Sequence, residues 1–381
     1  MHILQIYKDY PPVLGGIEHH IRDLSEGLLD RGFQITVLVT TPDALTTIEH
    51  RRTGLEIIRV RRDITVASTP LSLDFVHQAE QLRPAVIHLH FPYPLGDLAA
   101  LRVPGRPPLV VTYHSDIVRQ RVLGQLYRPL MRHTLGRAAC ILATSPDYVQ
   151  SSVILQNYTH KIRIIPLGID IERFAQLPER QTLGLRASLH ARSEDVLLLF
   201  VGRLRYYKGL HVLLEAMPHI MHAQLLLAGS GPEELGLRGQ VQALGLQQRV
   251  HFLGDVSEAL LPALYRAADI FVLPAHMRAE ALGLAQIEAM ASGLPCVSTR
   301  LGTGTTYANC HGVTGLSVAP GNVADLARAI NTLVADPALR RRYAVAAQHR
   351  VRALFSREAM VDAVAAVYRE VGRVGECSFE F

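Results

Sequence analysis

Short apolar runs punctuate the first half of the chain, and between them apolar residues recur at helical spacing. Ile3 to Tyr7, Gln34 to Thr40, Leu55 to Val60, Ala85 to His90, Leu109 to Tyr113 and Cys140 to Thr144 are the strand candidates of a first series. The same grammar restarts at Val196 to Val201, followed by Gln224 to Ala228, Val250 to Leu253, Ile270 to Leu273 and Pro295 to Thr299. Helical patterns such as Gly209 to Ile220 and Pro232 to Gly245 separate them. Strands that are apolar on both faces and alternate with helices predict a parallel sheet covered on both sides. Two series predict two such sheets.

Between the series lies Lys161 to Phe174, followed by a polar stretch holding Pro178 and Gly184. The expected division is an N-terminal Rossmann-like domain over 1–170, a C-terminal one over 171–354, and a last segment over 355–381. The sequence turns almost wholly helical after Gly321, and the amphipathic run from Phe355 to Val371 is long enough to leave the second domain and pack on the first. Open α/β sheets bind ligands beyond the carboxyl ends of their strands, so two such domains facing each other would enclose a central cleft.

Composition narrows the picture. A chain of 381 residues, 49% hydrophobic and 19% charged, is large enough for two cores and unlike a disordered polymer. No run reaches the roughly 18 apolar residues of a membrane span, and the N-terminus opens directly on a strand, so a cytosolic protein is expected. Cys140, Cys296, Cys310 and Cys377 are scattered with no Cys-x-x-Cys pair, which predicts reduced thiols and no structural metal. His88 and His90 share one face of a strand, but no third ligand is evident, and with His19 and His20 they are read as structural.

The net charge of +5 fits nucleic acid, a membrane surface or an anionic substrate. Its distribution is more telling. From Leu101 to Arg137 seven arginines stand against Asp116 alone, interleaved with apolar residues, and the stretch reads as a basic amphipathic helix. It is either a solvated face or a contact for anionic lipid headgroups through Arg119, Arg121, Arg128 and Arg132.

The chemistry concentrates in the second half. Gly202-Arg203-Leu204-Arg205-Tyr206-Tyr207-Lys208-Gly209 sets cations between a buried strand and a helix entry, as a diphosphate requires, although a basic loop in solvent has the same composition. Downstream, Glu280 and Glu288 stand eight residues apart, about 12 Å if both were helical, so they can share a ligand only if Glu280 lies in a loop that doubles back. Glu288 sits among Ile287, Ala289 and Met290 and needs a hydrogen-bond donor, whether a sugar hydroxyl or a partner in the core. Leu282-Gly283-Leu284 opens the helix without bulk, leaving backbone N–H groups for a phosphate.

These motifs, with Gly15-Gly16-Ile17-Glu18, Ala228-Gly229-Ser230-Gly231-Pro232, Phe252-Leu253-Gly254, Glu288 to Pro295 and Gly312-Val313-Thr314-Gly315, make the chain resemble the family 4 glycosyltransferases of the GT-B fold over nearly its whole length. Tyr7-Lys8-Asp9-Tyr10 and the segment from Thr112 to Gln120 are similar to bacterial enzymes using GDP-mannose or related donors in polysaccharide and lipid-linked glycan assembly.

The resemblance implies a retaining, metal-independent transferase. It implies that Arg203 and Lys208 neutralise the diphosphate, that Glu288 binds ribose, and that Glu280 and the backbone at Leu282, Gly283 and Leu284 hold the sugar and distal phosphate. Phe252, Leu253 and Gly254 would lie by the base, Gly16 opposite the phosphate loops, and His114 beside the transferred sugar. Leu282 replaces the family's usual phenylalanine, with little expected effect because backbone makes that contact. Same-face attack is favoured over a covalent intermediate, which makes Glu280 an orienting group. Asp170-Ile171-Glu172 resembles the manganese triplet of another glycosyltransferase fold but falls between the domains, so no metal or other cofactor is assigned.

The expected donor is a nucleotide-diphosphate sugar, with mannose from GDP-mannose the first choice and a UDP-sugar the alternative. The expected acceptor is a glycan or lipid-linked hydroxyl. A nucleotide-sugar epimerase of the same architecture would look alike at the donor site but would need no acceptor. A dehydrogenase is disfavoured because no Gly-x-Gly-x-x-Gly follows the first strand, and nucleic acid is disfavoured because no aromatic platform or reading helix is present.

Overall fold

The computed structural model describes residues 1–13, 15–66, 69–116, 121–175 and 195–377. The chain divides into two compact units, one of residues 1–168 with 357–381 and one of residues 169–356. Pro178 and Gly184, expected near a boundary, lie outside the described residues.

In the first unit the strands are His2–Ile6 (β1), Gln34–Thr41 (β2), Thr47–Arg52 (β3), Leu55–Arg61 (β4), Ile64–Val66 (β5), Thr69–Leu71 (β6), Val86–Phe91 (β7), Leu109–Tyr113 (β8), Cys140–Ala143 (β9) and Ile162–Ile164 (β10). Eight of them form one sheet in the order β10-β9-β8-β7-β1-β2-β4-β3, parallel except for β3, while β5 and β6 pair as a ribbon. The second unit contains Val196–Val201 (β11), Ala223–Ala228 (β12), Val250–Gly254 (β13), Ile270–Leu273 (β14), Cys296–Thr299 (β15) and Gly315–Val318 (β16). Its sheet runs β13-β12-β11-β14-β15-β16 and is wholly parallel.

Both sheets begin at a central strand, wind outward to one side, then return and wind to the other. The reversal falls between β1 and β7 in the first unit and between β11 and β14 in the second. At such switch points neighbouring loops diverge, leaving a crevice at the strands' carboxyl ends.

Every strand candidate of the two series is present. Those that pattern reading leaves out are short or polar. The β3 segment, Thr-Ile-Glu-His-Arg-Arg, is a mostly exposed antiparallel edge, and no apolar run marks it. The helix expected over Gly209 to Ile220 covers Leu210–Ala216 and continues as a 3-10 turn over Met217–His219, where Pro218 supplies no N–H to a further α-turn. The basic stretch from Leu101 to Arg137 is not one helix. Its helical part is Arg121–Arg137, preceded by the end of the helix Pro94–Arg102 and by β8, whose residues are buried.

The helix Arg357–Cys377 belongs to the first unit. Its Tyr368 hydroxyl meets His88 Nδ1 at 2.5 Å, and Met360 sulfur accepts from Gly168 N–H. Among the described residues no helix is long and apolar enough to cross a membrane.

Candidate active site

Three loops of the second unit gather at the carboxyl ends of β11, β12 and β14. Gly202 donates to Ala228 O at 2.9 Å and Leu204 to Ser230 O at 2.8 Å, which joins the first loop to the second. His276 donates to Tyr207 O at 3.0 Å, which joins the first to the third. The fit is close enough to dictate glycine. A β-carbon on Gly209 would lie 2.1 Å from Pro274 O, and one on Gly229 would lie 2.2 Å from Gly202 O, each also at positive φ. The rings of Tyr206, His211 and His276 pack against one another with centroids 4.7 to 5.1 Å apart and fill the angle between the first and third loops.

Within this framework Lys208 and Glu280 form an ion pair, and both side chains are nearly enclosed. Burial works against the ammonium charge, but Glu280 and Tyr207 together outweigh it and raise the Lys208 pKa above that of an ordinary lysine. The lysine therefore stays charged. Arg203, five residues earlier, is exposed. The two cations expected to act alike thus sit in different environments: one is locked in a pair, the other reaches into solvent.

Glu280 lies in the loop before the helix Leu284–Ala291, with its N–H donating to Met277 O and its carbonyl accepting from Thr303 Oγ1. Its separation from Glu288 is therefore not that of two positions on a straight helix. Gly283 caps the helix at φ 77° and is backed by Leu273, whose Cδ2 would be 2.8 Å from an added β-carbon. Leu282 is buried and packs on Gly304, so its side chain serves the core while the backbone turns into the helix.

Glu288 is half-buried, and Tyr265 donates to its Oε2 at 2.7 Å. Both readings of Glu288 thus meet at one residue, since a core partner is present where a ligand hydroxyl was the alternative. Burial, reinforced by Glu288, raises the Tyr265 phenol far above its usual range, so the tyrosine remains a donor. Tyr265 carries no signal in the sequence, because a partner 23 positions away leaves no local pattern.

Phe252, Leu253 and Gly254 end β13, all partly buried, and Arg238 covers one face of the Phe252 ring at 4.3 Å. In the first unit, Gly16 begins the helix Gly16–Leu29, and Glu18 folds back over its start. A β-carbon on Gly15 would come within 2.1 Å of Glu18 Oε2, so the helix already carries a carboxylate at its N-terminus.

His114 follows β8 and is 3% exposed. It lies in a cluster that corrects the expectation of no third ligand, and the rings that converge are His90 with His20 and His114, with His88 outside the group. Nitrogen atoms of His20, His90 and His114 all lie within 4.8 Å of one another. His90 Nδ1 and His114 Nε2 are 3.1 Å apart, and His90 Nε2 is 3.2 Å from Gln5 Oε1. His88 stacks on His90 at 4.4 Å and is held by Tyr368 and Thr112. Burial lowers every one of these imidazoles, His20 to about 4, His88 to about 3, and His90 and His114 well below the ordinary value. At neutral pH all four are uncharged. The alternation His88-Leu89-His90 was the visible signal; the strand pairing that sets His114 beside them was not visible.

The arginines of the basic helix divide by face. Arg128 and Arg132 are exposed, as is Leu126 two residues before Arg128, whereas Arg137 turns inward to the carbonyls of Ala100 and Pro107. Arg119 lies outside the described residues.

Comparison with known proteins agrees with this architecture. Residues 14–173 match the model of Glycosyltransferase Family 4, and residues 184–350 match that of Glycosyl transferases group 1. The D-rhamnosyltransferase WbpZ of Pseudomonas aeruginosa is 38% identical over 93% of this chain and 92% of its own. The O-antigen chain mannosyltransferase C of Escherichia coli is 34% identical over 97% of this chain and 98% of its own. Among solved structures, sucrose-phosphate synthase from Thermosynechococcus elongatus superposes with a TM-score of 0.84 at 26% identity, covering 98% of this chain and 99% of that one. A doubly wound pair of sheets, a lysine-glutamate pair at a switch point and relatives matched almost end to end lead to one conclusion: the chain is a glycosyltransferase of the GT-B fold and belongs to the family 4 group.

Proposed function

We propose that the protein transfers a hexose from a nucleotide-diphosphate donor to a hydroxyl of a growing glycan or lipid-linked acceptor, with retention of configuration and without a metal. Mannose from GDP-mannose is the first choice. Relatives named as a mannosyltransferase of O-antigen chains and a D-rhamnosyltransferase support a manno-configured sugar and a bacterial surface polysaccharide.

The observation that carries the donor assignment is the charged Lys208 paired to Glu280 at the mouth of the helix Leu284–Ala291. An incoming diphosphate offers that ammonium a stronger partner, and the released Glu280 can accept hydrogen bonds from sugar hydroxyls. Arg203 adds a forked contact to the same phosphates. The N–H groups that begin the helix, from Leu282 through Leu284, take the distal phosphate, Glu288 accepts from ribose, and Phe252 to Gly254 flank the base. His114 and the Gly16 loop serve the sugar and the acceptor side. As the sugar–phosphate bond breaks, these cations and amides stabilise charge on the departing diphosphate, and the acceptor oxygen bonds to the same face while its proton passes to that diphosphate.

Thermal-shift titration with GDP-, UDP-, ADP- and dTDP-sugars tests the donor. GDP-mannose should give the largest stabilisation, followed by mannose transfer that persists in EDTA. Preference for a UDP-sugar would replace the donor, and loss in EDTA with rescue by manganese would end the metal-free reading. Isomerisation of the sugar without acceptor would make the protein an epimerase.

A further inference from the structure

The buried histidine cluster carries more than packing. Gln5 on β1, His90 on β7 and His114 just beyond β8 lie on one face of three adjacent strands, since Gln5 pairs with His88 and His90 with Thr112, and side chains alternate faces along each strand. They form an unbroken chain, with 3.2 Å from Gln5 Oε1 to His90 Nε2 and 3.1 Å from His90 Nδ1 to His114 Nε2. The His90 and His114 rings are 19° from coplanar with centroids 5.3 Å apart. A centroid separation exceeding the 3.1 Å nitrogen separation by one ring radius on each side means that the rings meet edge to edge, nitrogen to nitrogen.

From this geometry we propose that Gln5 and His90 are positioning residues that hold His114 in its Nε2–H tautomer, so that Nδ1 presents a lone pair to a hydroxyl of the transferred sugar. The inference rests on the reading of His114 as lying beside that sugar. A carbonyl oxygen can only accept, so His90 Nε2 carries the hydrogen. Burial keeps His90 neutral, so its Nδ1 is an acceptor and His114 Nε2 must donate. Neighbouring rings do not compete. His88 lies face to face with His90 while Tyr368 and Thr112 occupy its two nitrogens. His20 packs at 73° and 76° against His114 and His90, and neither of its enclosed nitrogens has a hydrogen-bond partner among the described residues.

The same three rings invite a metal reading. A tri-histidine ion would need three lone pairs converging on one point about 2 Å from each nitrogen. Here the facing nitrogens of His90 and His114 point at each other, as in an N–H···N bond.

The test is long-range proton-nitrogen NMR on the full chain labelled with 15N-histidine, which reads ring protonation directly. His90 and His114 should both show Nε2–H. Gln5→Leu and His90→Leu should mix the His114 tautomers and lower kcat for sugar transfer by about tenfold, the cost of one hydrogen bond, with donor KM unchanged. His90→Asn, whose amide oxygen can stand near the lost Nδ1, should restore most of both. If His90→Leu does not fold, Gln5→Leu against Gln5→Glu makes the same comparison. An Nδ1–H signature for His114 in the parent, tautomers untouched by Gln5→Leu, or stoichiometric zinc in the purified protein would overturn the lock. Unchanged transfer in His114→Ala would instead remove the underlying reading of His114, and the tautomer result would reveal which of the two had failed.

Discussion

The two units solve opposite electrostatic problems on the same kind of sheet. In the second unit, charge is kept and placed on loops: Lys208 and Glu280 neutralise each other, and Arg203 remains in solvent. In the first, titratable groups lie on the sheet face or on the helix packed against it, and burial strips their charge, leaving four neutral imidazoles between strands and helices. Loops beyond strand ends retain enough polar surroundings to hold an ion pair, whereas a covered sheet face strongly disfavours charge and holds its imidazoles neutral, most of them hydrogen-bonded. Diphosphate binding therefore suits the second unit, and hydrogen-bond direction is what the first can offer.

The sharpest break in this comparison is Lys208→Ala. It removes the cation and leaves Glu280 enclosed without its partner, so both donor binding and stability should fall, with a loss of several kcal/mol in the melt of the free protein, within the roughly 3 to 5 typical of a broken buried pair. Lys208→Ala with Glu280→Gln should recover much of that stability without recovering donor affinity. Arg203→Ala should weaken donor binding by about 1.5 to 3 kcal/mol and leave the melt unchanged, because the side chain is exposed. Equal effects of the two substitutions on stability would erase the distinction between locked and solvent-facing cations.

Next in size is Glu288→Gln, which keeps an oxygen to accept from Tyr265 and should preserve the fold while reducing nucleotide affinity by about 1 to 3 kcal/mol, measured by calorimetry. Tyr265→Phe gives the complement. Should it abolish nucleotide binding while Glu288→Gln leaves binding intact, the pair is a structural brace and not a ribose contact.

The first unit is probed by acid. His20 and His88 titrate near 4 and 3 when folded, against an ordinary value of 6.5. The unfolded chain takes up these protons near pH 6.5 and the folded one refuses them until about pH 4 for His20 and about pH 3 for His88, so their contribution to stability is complete above 6.5 and lost as pH falls through that window. The melting temperature should drop across that range, and His20→Phe should flatten the drop. A profile unaffected by the substitution would deny His20 this role.

The smallest effect is expected at the basic helix. If this helix meets an anionic surface, Arg121, Arg128 and Arg132 would each contribute on the order of 1 kcal/mol, screened by salt, and Arg128 and Arg132 are exposed for it. Binding to anionic vesicles should decline with salt and be largely lost on changing all three to glutamine, with donor affinity preserved. Equal sedimentation with neutral and anionic vesicles would leave this helix as an ordinary solvated face.

Much of the architecture follows from the sequence alone, because a strand covered on both faces is apolar at most positions and so declares itself as a run such as Val196 to Val201. The loop glycines and the cations between them are equally local, fixed by the need for positive φ, close backbone approach and charge within a few residues of a helix start. Tertiary structure decided the rest. Lys208 meets Glu280 across 72 positions, Tyr265 finds Glu288 across 23, and His90 finds Gln5 across 85, distances at which no periodicity or spacing survives. Sequence pattern is set by each element's own burial, but partner choice is set by strand order and register. Only the fold therefore determined which glutamate holds the lysine and which imidazole faces which.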